Sequence, residues 1–379
     1  MGLSNMEVLI TVMIPCYNAG SSISKCLASL FENVVSEKCE FIIVDDCSTD
    51  NSLTTIESTI LKYPKLHGNI TVISHKARSG VAVARNTALE NASGKYIIYV
   101  DSDDRVEPDY LSLLYEAARK TDADLICCDY YVDTAKGQQR VRAFPGMDSS
   151  ACLQRLSENK YYGYLWIKLI RRSILIDNNI KCIEGVDLWE DMVISCKILP
   201  YIKSISYVNK PLYHYVANPH SLVHTFNPKK AENLIAAIGE IERFYAEKNI
   251  YEKHADEINC LKIRAKALIS LKLHKTKDFY SKSIKIPSVL FSAVPLRIKL
   301  EKFFICDFCV TRCLLSFLYK KARSPILWRA VQVKRCDQNR MGSRRKRPYE
   351  TLSFSPALSI PGERRGRTAD KQHRPLSQE

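Results

Sequence analysis

Strand-length apolar runs alternate with helical patterns through the first 130 residues of the chain. The runs are rich in β-branched residues and cover residues 8–15, 41–44, 70–74, 96–100 and 123–132. Between the first two runs, apolar side chains recur at helical spacing, at Ile23, Leu27, Leu30 and Phe31. Uninterrupted apolar runs predict strands that are buried on both faces. The alternation therefore predicts an α/β fold with a mostly parallel sheet flanked by helices.

Glycine, proline and composition changes predict where helices and domains end. The polar turn at residues 78–80 opens one helix, and Gly94 is predicted to end it. Asn227 and Pro228 begin a long amphipathic helix. Residues 258–321 are helix-like and basic, and the chain beyond about residue 340 is polar and aperiodic. We therefore predict a main domain over 1–225, a basic helical extension over 226–339 and a disordered tail over 340–379.

Acidic residues follow two of the predicted strands directly. Asp45 and Asp46 end one strand, and an Asp-Ser-Asp-Asp turn at residues 101–104 ends another. Ligands of parallel sheets bind beyond the carboxyl ends of the strands, so both clusters are expected in one crevice. Asp101 and Asp103 offer hard oxygen ligands to Mg2+ or Mn2+, which can bridge the phosphates of a nucleotide. The alternative is a solvated turn that ends the strand.

The charge of the chain is unevenly distributed. The 379 residues are 46% hydrophobic and 26% charged, which excludes fibrous and wholly disordered classes, and the net charge is +15. Residues 1–220 hold 23 Lys+Arg and 26 Asp+Glu, whereas the remainder holds 33 and 15. The basic part lacks interleaved aromatics or a recognisable nucleic-acid motif, so we expect no nucleic-acid partner. Residues 258–321 are instead expected to contact an anionic membrane surface, or to form a helical subdomain packed on the sheet.

The N-terminus and the lengths of the apolar runs indicate where in the cell the protein is expected. No basic, then apolar, then small-residue leader pattern precedes residue 18, and no apolar run reaches the about 18 to 20 residues of a membrane span. We expect a cytoplasmic protein, with peripheral attachment to the inner face of the plasma membrane.

Six motifs occur in a specific order along the chain. Together they resemble the family-2 inverting glycosyltransferases of the GT-A fold, of the bacterial polysaccharide or cell-surface glycan type, over approximately residues 8–225. The motifs are Ile14-Pro15-Cys16-Tyr17-Asn18, Val44-Asp45-Asp46-Cys47-Ser48-Thr49-Asp50, Ala84-Arg85-Asn86, Asp101-Ser102-Asp103-Asp104, Trp166-x-Lys168 and Trp189-Glu190-Asp191. The resemblance implies an open, mixed sheet with a nucleotide-sugar half over 1–130 and an acceptor half over 131–225.

The resemblance implies a donor site for a nucleoside-diphosphate sugar, expected to be a UDP-sugar. Asp103 is the expected main ligand of Mn2+ or Mg2+, with Asp101 on the metal or the ribose. Asp46 is expected to accept a hydrogen bond from the N3–H of uracil, whereas the alternative is that Asp45 or Asp46 caps the following helix. Arg85 is expected to contact either phosphate or a structural carboxylate. The implied nucleotide-sugar residues are Pro15, Tyr17, Asn18, Asp46, Arg85, Asp101 and Ser102.

The resemblance also implies that Asp191 is the general base that takes the proton of the acceptor hydroxyl. Glu190 is adjacent, and its charge is expected to raise the pKa of Asp191. The alternative is that both are first-turn acids of a helix predicted over 192–199. Trp166 and Lys168 resemble an element beneath the acceptor site, and Trp166 is as well explained as core.

Further alternatives concern the metal shell and the reaction. His214, His220 and His224 are candidates for a further metal ligand. A sugar nucleotidyltransferase is the nearest enzymatic alternative, but it requires a basic, glycine-rich loop after the first strand, and residues 15–20 hold one glycine and no basic residue. A non-catalytic relative that binds nucleotide-sugar or membrane is the third possibility.

Overall fold

A mixed sheet of nine strands organises the chain in a computed structural model that describes residues 8–33, 35–217 and 226–272. Along the sheet the strands follow the order β3-β2-β1-β4-β8-β6-β9-β5, and β7 pairs with β6. The strands are β1 (Ile10–Cys16), β2 (Cys39–Asp45), β3 (Ile70–Ser74), β4 (Tyr96–Tyr99), β5 (Arg105–Val106), β6 (Leu125–Thr134), β7 (Gly137–Val141), β8 (Lys168–Arg171) and β9 (Ile205–Val216).

The first four strands form the parallel half of the sheet. β1 pairs in parallel with β2 and with β4, and β2 pairs in parallel with β3. Met13 of β1 is in register with Ile42 of β2 and with Tyr99 of β4, and all three residues are buried. The predicted α/β architecture is confirmed here. Because these strands run in one direction, Asp45 at the end of β2 and the 101–104 turn after β4 lie at the same edge.

The other half of the sheet is mixed. β8 is antiparallel to both β4 and β6, whereas β9 is parallel to β6 and antiparallel to β5. A register irregularity at Cys128 and Asp129 bends the pairing of β6 with β9. β9 also pairs with β5, the short strand that directly follows the 101–104 turn.

Nine helices are found in the described ranges, and they flank the sheet and continue beyond it. They are α1 (Ile23–Phe31), α2 (Ser52–Ile60), α3 (Val81–Asn91), α4 (Tyr110–Thr121), α5 (Ser149–Ser157), α6 (Arg172–Asp177), α7 (Glu190–Ile198), α8 (Pro228–Glu247) and α9 (Ala255–Lys272). As predicted, Asn227 caps α8, and its side chain accepts a hydrogen bond from the Lys230 N–H.

The predicted end of α3 was wrong. The helix ends at Asn91, and Ala92 is its C-terminal cap. Gly94 instead lies against β1, where an added Cβ atom would be 2.6 Å from the backbone nitrogen of Thr11. The glycine is therefore required by the close approach of two backbones, and not by the end of a helix.

α8 packs against α7 and against α9. The Tyr245 hydroxyl of α8 donates to the Cys196 carbonyl of α7 at 2.9 Å, and Lys197 pairs with Glu240 at 2.8 Å. Only the first part of the predicted extension is described, and the remainder of 226–339, the 340–379 tail, His220 and His224 lie outside the described residues. Within the part of the chain that is described, no helix combines the length and apolar character needed to span a bilayer.

Candidate active site

The turn after β4 is anchored by its last carboxylate. Asp104 is buried and accepts hydrogen bonds from the Tyr213 hydroxyl at 2.7 Å and the Val216 N–H at 2.8 Å. The Tyr213 oxygen in turn accepts from the Asp101 N–H at 3.1 Å. Burial, and then the charges of Asp101 and Asp103, raise the pKa of Asp104 well above its usual range. Sequence reasoning assigned Asp104 and Tyr213 no role, although the acidic run pointed to the first of them.

The other two aspartates of the turn remain available to a ligand. Asp103 is exposed and has no side-chain hydrogen bond to another described residue, and Asp101 uses one oxygen to accept from Arg85. Partial desolvation in the crevice, and then the charge of Asp101, raise the pKa of Asp103 to about 6. The Ser102 carbonyl accepts from the Ser22 hydroxyl at 3.1 Å, which ties the turn to α1.

Arg85 of α3 connects this turn to the start of α7. Its Nη2 donates to Asp101 at 3.1 Å and its Nη1 donates to Glu190 at 2.5 Å. The residue is buried, and its Nε has no hydrogen-bond partner among the described residues. Arg85 was predicted to contact either phosphate or a structural carboxylate, and in the described structure it contacts two carboxylates. The guanidinium therefore holds the 101–104 turn and the first turn of α7 together.

Glu190 and Asp191 form the first turn of α7, which agrees with the alternative interpretation of these acids and begins two residues before the predicted helix. Asp191 Oδ1 accepts from the Met192 N–H at 2.6 Å, and its Oδ2 has no partner among the described residues. Burial raises the pKa of Asp191, and the nearby charges of Arg85 and Lys168 oppose that rise. Burial likewise raises the pKa of Glu190 against the opposing effect of Arg85. A half-buried carboxylate with one unused oxygen is suited to accept a proton.

Lys168 lies at the start of β8 and is almost fully buried. Its Nζ donates to the carbonyls of Tyr162 and Tyr164 at 2.7 and 2.6 Å, and lies 4.6 Å from the ring centre of Tyr161. Burial lowers the pKa of Lys168 to about 8. The side chain therefore holds the backbone of the 161–164 segment and places a positive charge near Asp191.

Trp166 is a core residue in a column of stacked rings. Its ring stacks on Tyr213 at 4.3 Å and on Tyr164 at 4.8 Å, and Tyr130 meets it edge-on. Trp166 is 4% exposed, so this packing leaves little of its face to a sugar. Because the Tyr213 hydroxyl is also bonded to Asp104 and to the Asp101 N–H, the column supports the 101–104 turn.

The loop after β1 is paired with the segment after β2. Asn18 adopts a left-handed conformation with φ of 50°, and its Oδ1 accepts from the Thr49 N–H at 2.8 Å. Pro15 is buried in β1, and the ring of Tyr17 carries the Arg78 guanidinium at 4.1 Å. Pro15, Tyr17 and Asn18, three of the implied nucleotide-sugar residues, therefore lie together at the carboxyl edge of the sheet.

The two carboxylates after β2 differ in how they are bonded. Asp46 accepts from the N–H groups of Ser79 at 2.8 Å and Gly80 at 2.7 Å, and its Oδ1 lies 2.8 Å from Nδ1 of His75. Asp45 accepts from the Ser48 N–H at 3.3 Å through one oxygen, whereas its buried Oδ1 has no partner among the described residues. Sequence reasoning expected Asp46 to accept from a nucleotide base, with helix capping by Asp45 or Asp46 as the alternative, and missed that Asp46 organises the loop before α3.

His214 lies in β9 and is held by two carboxylates from other segments. Its Nε2 lies 2.6 Å from Glu107, and its Nδ1 lies 3.1 Å from Asp133 and 3.1 Å from the amide of Gln138. Both ring nitrogens are thus engaged within the protein. In the described part of the chain, no cluster of three or more His, Cys, Asp or Glu side chains is arranged to hold a metal ion by itself.

The described chain has the GT-A fold of glycosyltransferases. The crystal structure of Staphylococcus aureus TarS 1-349 in complex with UDP-GlcNAc has the same fold, with a TM-score of 0.54 at 20% identity over 73% of this chain and 88% of that chain. A family model described as glycosyl transferase family 2 matches residues 11–178.

Two relatives extend the likeness beyond that segment. The putative glycosyltransferase EpsH of Bacillus subtilis (strain 168) is 30% identical over 274 residues, which are 70% of this chain and 78% of that protein. The poly(ribitol-phosphate) beta-N-acetylglucosaminyltransferase TarP of Staphylococcus aureus (strain N315) is 28% identical over 64% of this chain and 74% of that protein. The chain belongs to glycosyl transferase family 2, and it is a glycosyltransferase.

Proposed function

We propose that the chain transfers a sugar from a UDP-sugar to an acceptor hydroxyl in the synthesis of a bacterial cell-surface polysaccharide or glycolipid, with inversion at the anomeric carbon. The observation that carries the proposal is the Arg85 bridge, because it fixes the 101–104 turn, which carries Asp101 and Asp103, next to the first turn of α7. Donor and acceptor chemistry then meet in one crevice. The choice of UDP is supported by the UDP-GlcNAc that the TarS crystal structure contains and by the aspartates after β2.

Asp103 and Asp101 fit a divalent cation, Mn2+ or Mg2+, that is shared with the substrate. Asp103 has no competing side-chain partner among the described residues, and Asp101 retains one oxygen. Mg2+ in particular is often held by one or two carboxylates together with substrate phosphates and water. When bound, such an ion neutralises the charge that develops on the leaving diphosphate.

Asp191 acts as the general base in this proposal. The acceptor oxygen forms a bond to the anomeric carbon, the bond from that carbon to the diphosphate oxygen breaks, and the acceptor proton passes to Asp191 Oδ2. A base in this position contributes about 10²- to 10⁴-fold to the rate. Glu190 and Lys168 act on the acceptor side by holding Arg85 and the 161–164 segment in place.

The nucleotide base is recognised at the end of β2. Asp46 remains the proposed acceptor of the uracil N3–H, because a carboxylate has about four lone-pair sites and the 75–80 loop uses three of them. Asp45 is the competing candidate, because its Oδ1 has no partner among the described residues. Titration of Asp45→Asn and of Asp46→Asn with UDP distinguishes the two candidates. The variant that replaces the carboxylate bonded to the uracil base should have the lower affinity for UDP.

A donor screen tests the proposed activity. Full-length protein with Mn2+ is incubated with UDP-GlcNAc, UDP-glucose, UDP-galactose and GDP-mannose, and release of nucleoside diphosphate is followed. We expect UDP release from one UDP-sugar, and a loss of about 100-fold or more in Asp191→Asn without loss of UDP binding. Asp177→Asn, an exposed acid at the end of α6, is the matched control and should retain activity. Undiminished turnover in Asp191→Asn would refute the assignment of the base.

The same assay separates the alternative functions. A sugar nucleotidyltransferase releases pyrophosphate from a nucleoside triphosphate, and a non-catalytic relative binds UDP without turnover. The loop after β1 argues against the first, because residues 15–20 contain one glycine and no basic residue to hold a triphosphate. The domain limits at 225 and 339, and peripheral attachment of 258–321 to the inner face of the plasma membrane, are part of the proposal.

A further inference from the structure

The loop that leads into the proposed base is held by α8. Asn233 of α8 is 4% exposed, and both groups of its amide are bonded to this loop. Its Nδ2 donates to the Gly185 carbonyl at 2.9 Å, and its Oδ1 accepts from the Asp187 N–H at 3.2 Å. We call residues 185–189 the base loop, because Glu190 and Asp191 follow it directly.

The other side of the base loop lies against the start of α3. An added Cβ atom on Gly80 would be 2.8 Å from the carboxylate of Asp187, so the two segments are close. Gly80 is the N-terminal cap of α3 and donates to Asp46. The base loop is therefore enclosed between α8 and the segment that organises the nucleotide side.

The end of the base loop is held by α9. Trp189 is the N-terminal cap of α7 and has a φ of 67°, a backbone conformation that residues other than glycine rarely adopt. The Arg264 guanidinium of α9 lies 5.5 Å from the centre of the Trp189 ring. Arg264 is itself fixed, because it donates to the Leu156 carbonyl and to Asn159 Oδ1, each at 2.7 Å.

We propose that Asn233 and Arg264 are positioning residues for the transfer reaction, which fix the base loop at both ends and thereby the place of Asp191. Both residues lie beyond residue 178, where the match to the family model ends. The inference rests on the proposed function, since it assigns Asp191 as the base. The inference means that α8 and α9 contribute residues that position the active site.

Asn233→Ala removes both hydrogen bonds of the amide at the base loop. A base displaced by about 1 Å costs on the order of 100-fold in rate, so a loosened loop should lower kcat for UDP-sugar hydrolysis by about 10-fold or more. The KM for the donor should change less than about two-fold, because the Asn233 amide is bonded to Gly185 and Asp187 and to none of the described residues proposed to bind the donor. Asn233→Asp retains the acceptor for the Asp187 N–H and should recover part of kcat.

The matched control is Asn259→Ala. Asn259 is a buried asparagine of α9 whose Oδ1 has no partner among the described residues, so its loss disturbs the same helical pair without touching the base loop. Arg264→Met should show the same selective loss of kcat, with Arg243→Met on the exposed side of α8 as its control. Equal kcat in Asn233→Ala and Asn259→Ala, or a change confined to KM, would overturn the inference.

Hydrogen exchange separates a failure of this inference from a failure of the proposed function. In full-length protein, peptides that cover residues 180–192 should exchange faster in Asn233→Ala than in Asn259→Ala. If the wild type hydrolyses no nucleotide-sugar in the panel, the proposed function fails, and the exchange result alone decides whether Asn233 holds the base loop. Unchanged exchange in that segment rejects the inference even when the wild type is active.

Discussion

Arg85 is a buried cation whose two carboxylate partners are far apart in sequence. Asp101 is 16 residues away and Glu190 is 105 residues away. Arg85→Met removes the only cation that contacts Glu190 in the described part of the chain and leaves that carboxylate enclosed. Breaking a buried pair in this way costs about 3–5 kcal/mol, so we expect a loss of that size in the free energy of unfolding, measured by urea denaturation.

A double variant provides the control for Arg85. Arg85→Met combined with Glu190→Gln removes the uncompensated charge and should recover part of the lost stability. Its activity should remain low, because the bridge between the 101–104 turn and α7 is still absent. An Arg85→Met protein as stable as the wild type would show that the pair contributes nothing to the fold.

The raised pKa of Asp191 predicts the pH dependence of the reaction. A base acts only when ionised, so kcat at saturating Mn2+ and donor should fall as the pH decreases, and the midpoint should lie above the ordinary value for Asp of about 3.9. UDP affinity measured over the same range corrects for protonation at Asp103. A kcat that stays constant down to about pH 4 would contradict the prediction.

The same pKa shift has an opposite consequence for stability. A carboxyl group whose pKa is raised by folding contributes stability at low pH, and that contribution is lost as the pH rises through the raised value. Asp191→Asn removes the buried charge and keeps the acceptor for the Met192 N–H. We therefore expect this variant to be more stable than the wild type at neutral pH but not at low pH, as measured by urea denaturation at both pH values. A variant less stable than the wild type at neutral pH would refute this.

Among the elements, the start of α3 depends on a glycine. Gly80 has φ of 94° and ψ of 161°, a region essentially confined to glycine, and a Cβ atom there would be 2.8 Å from Asp187. Gly80→Ala should therefore lose about 1–3 kcal/mol from backbone strain and a further amount from the contact, measured by urea denaturation. UDP affinity should fall with it, because the Gly80 N–H donates to Asp46.

The hairpin glycine Gly137 is a suitable control for Gly80. It also has a positive φ, of 122°, but an added Cβ atom would meet nothing within 4 Å. Gly137→Ala should lose only the strain contribution and should leave UDP binding unchanged. Equal losses of stability and of UDP affinity in the two variants would show that the approach of Asp187 has no effect on α3.

The sequence predicted the parallel half of the sheet well, because its signals are local. Each apolar run of the first 130 residues became a strand within about two residues of its predicted ends, and the acids that follow two of them lie at one edge. The end of α3 was missed because Gly94 is fixed by β1, which is distant in sequence. A local pattern does not distinguish a glycine that ends a helix from one that permits a backbone contact.

The candidate site was predictable in its membership but not in its connections. The motifs located Asp101, Asp103, Glu190 and Asp191, yet the Arg85 bridge and the bond from Tyr213 to Asp104, across 109 residues, depend on how the strands are ordered. The aromatic column that makes Trp166 a core residue has the same origin. Pairing over such distances leaves no periodic signal in a single sequence.

At the scale of the whole molecule, most of the basic excess follows residue 272 in the sequence. Residues 226–272 hold 9 Lys+Arg and 7 Asp+Glu, whereas residues 273–379 hold 24 and 8. Within α9, Lys262 pairs with Glu242 and Arg264 is bonded to the 156–159 segment, so these two cations have internal partners. The described part of the predicted membrane segment 258–321 thus contributes to packing, and the excess charge belongs to the part of the chain beyond it.

This distribution predicts that the proposed membrane attachment depends on residues 273–339, which carry most of the excess charge. Lys and Arg near an anionic surface contribute about 1 kcal/mol each and are screened by salt, so the full chain should sediment with vesicles containing about 30% phosphatidylserine at low salt and dissociate as NaCl is raised. A chain ending at residue 339 keeps most of the excess and should still bind. A chain ending at residue 272 keeps α8 and α9 but should not bind, while its UDP affinity is unchanged. Equal sedimentation of the two shortened chains, or equal binding to neutral phosphatidylcholine vesicles, would refute electrostatic attachment through residues 273–339.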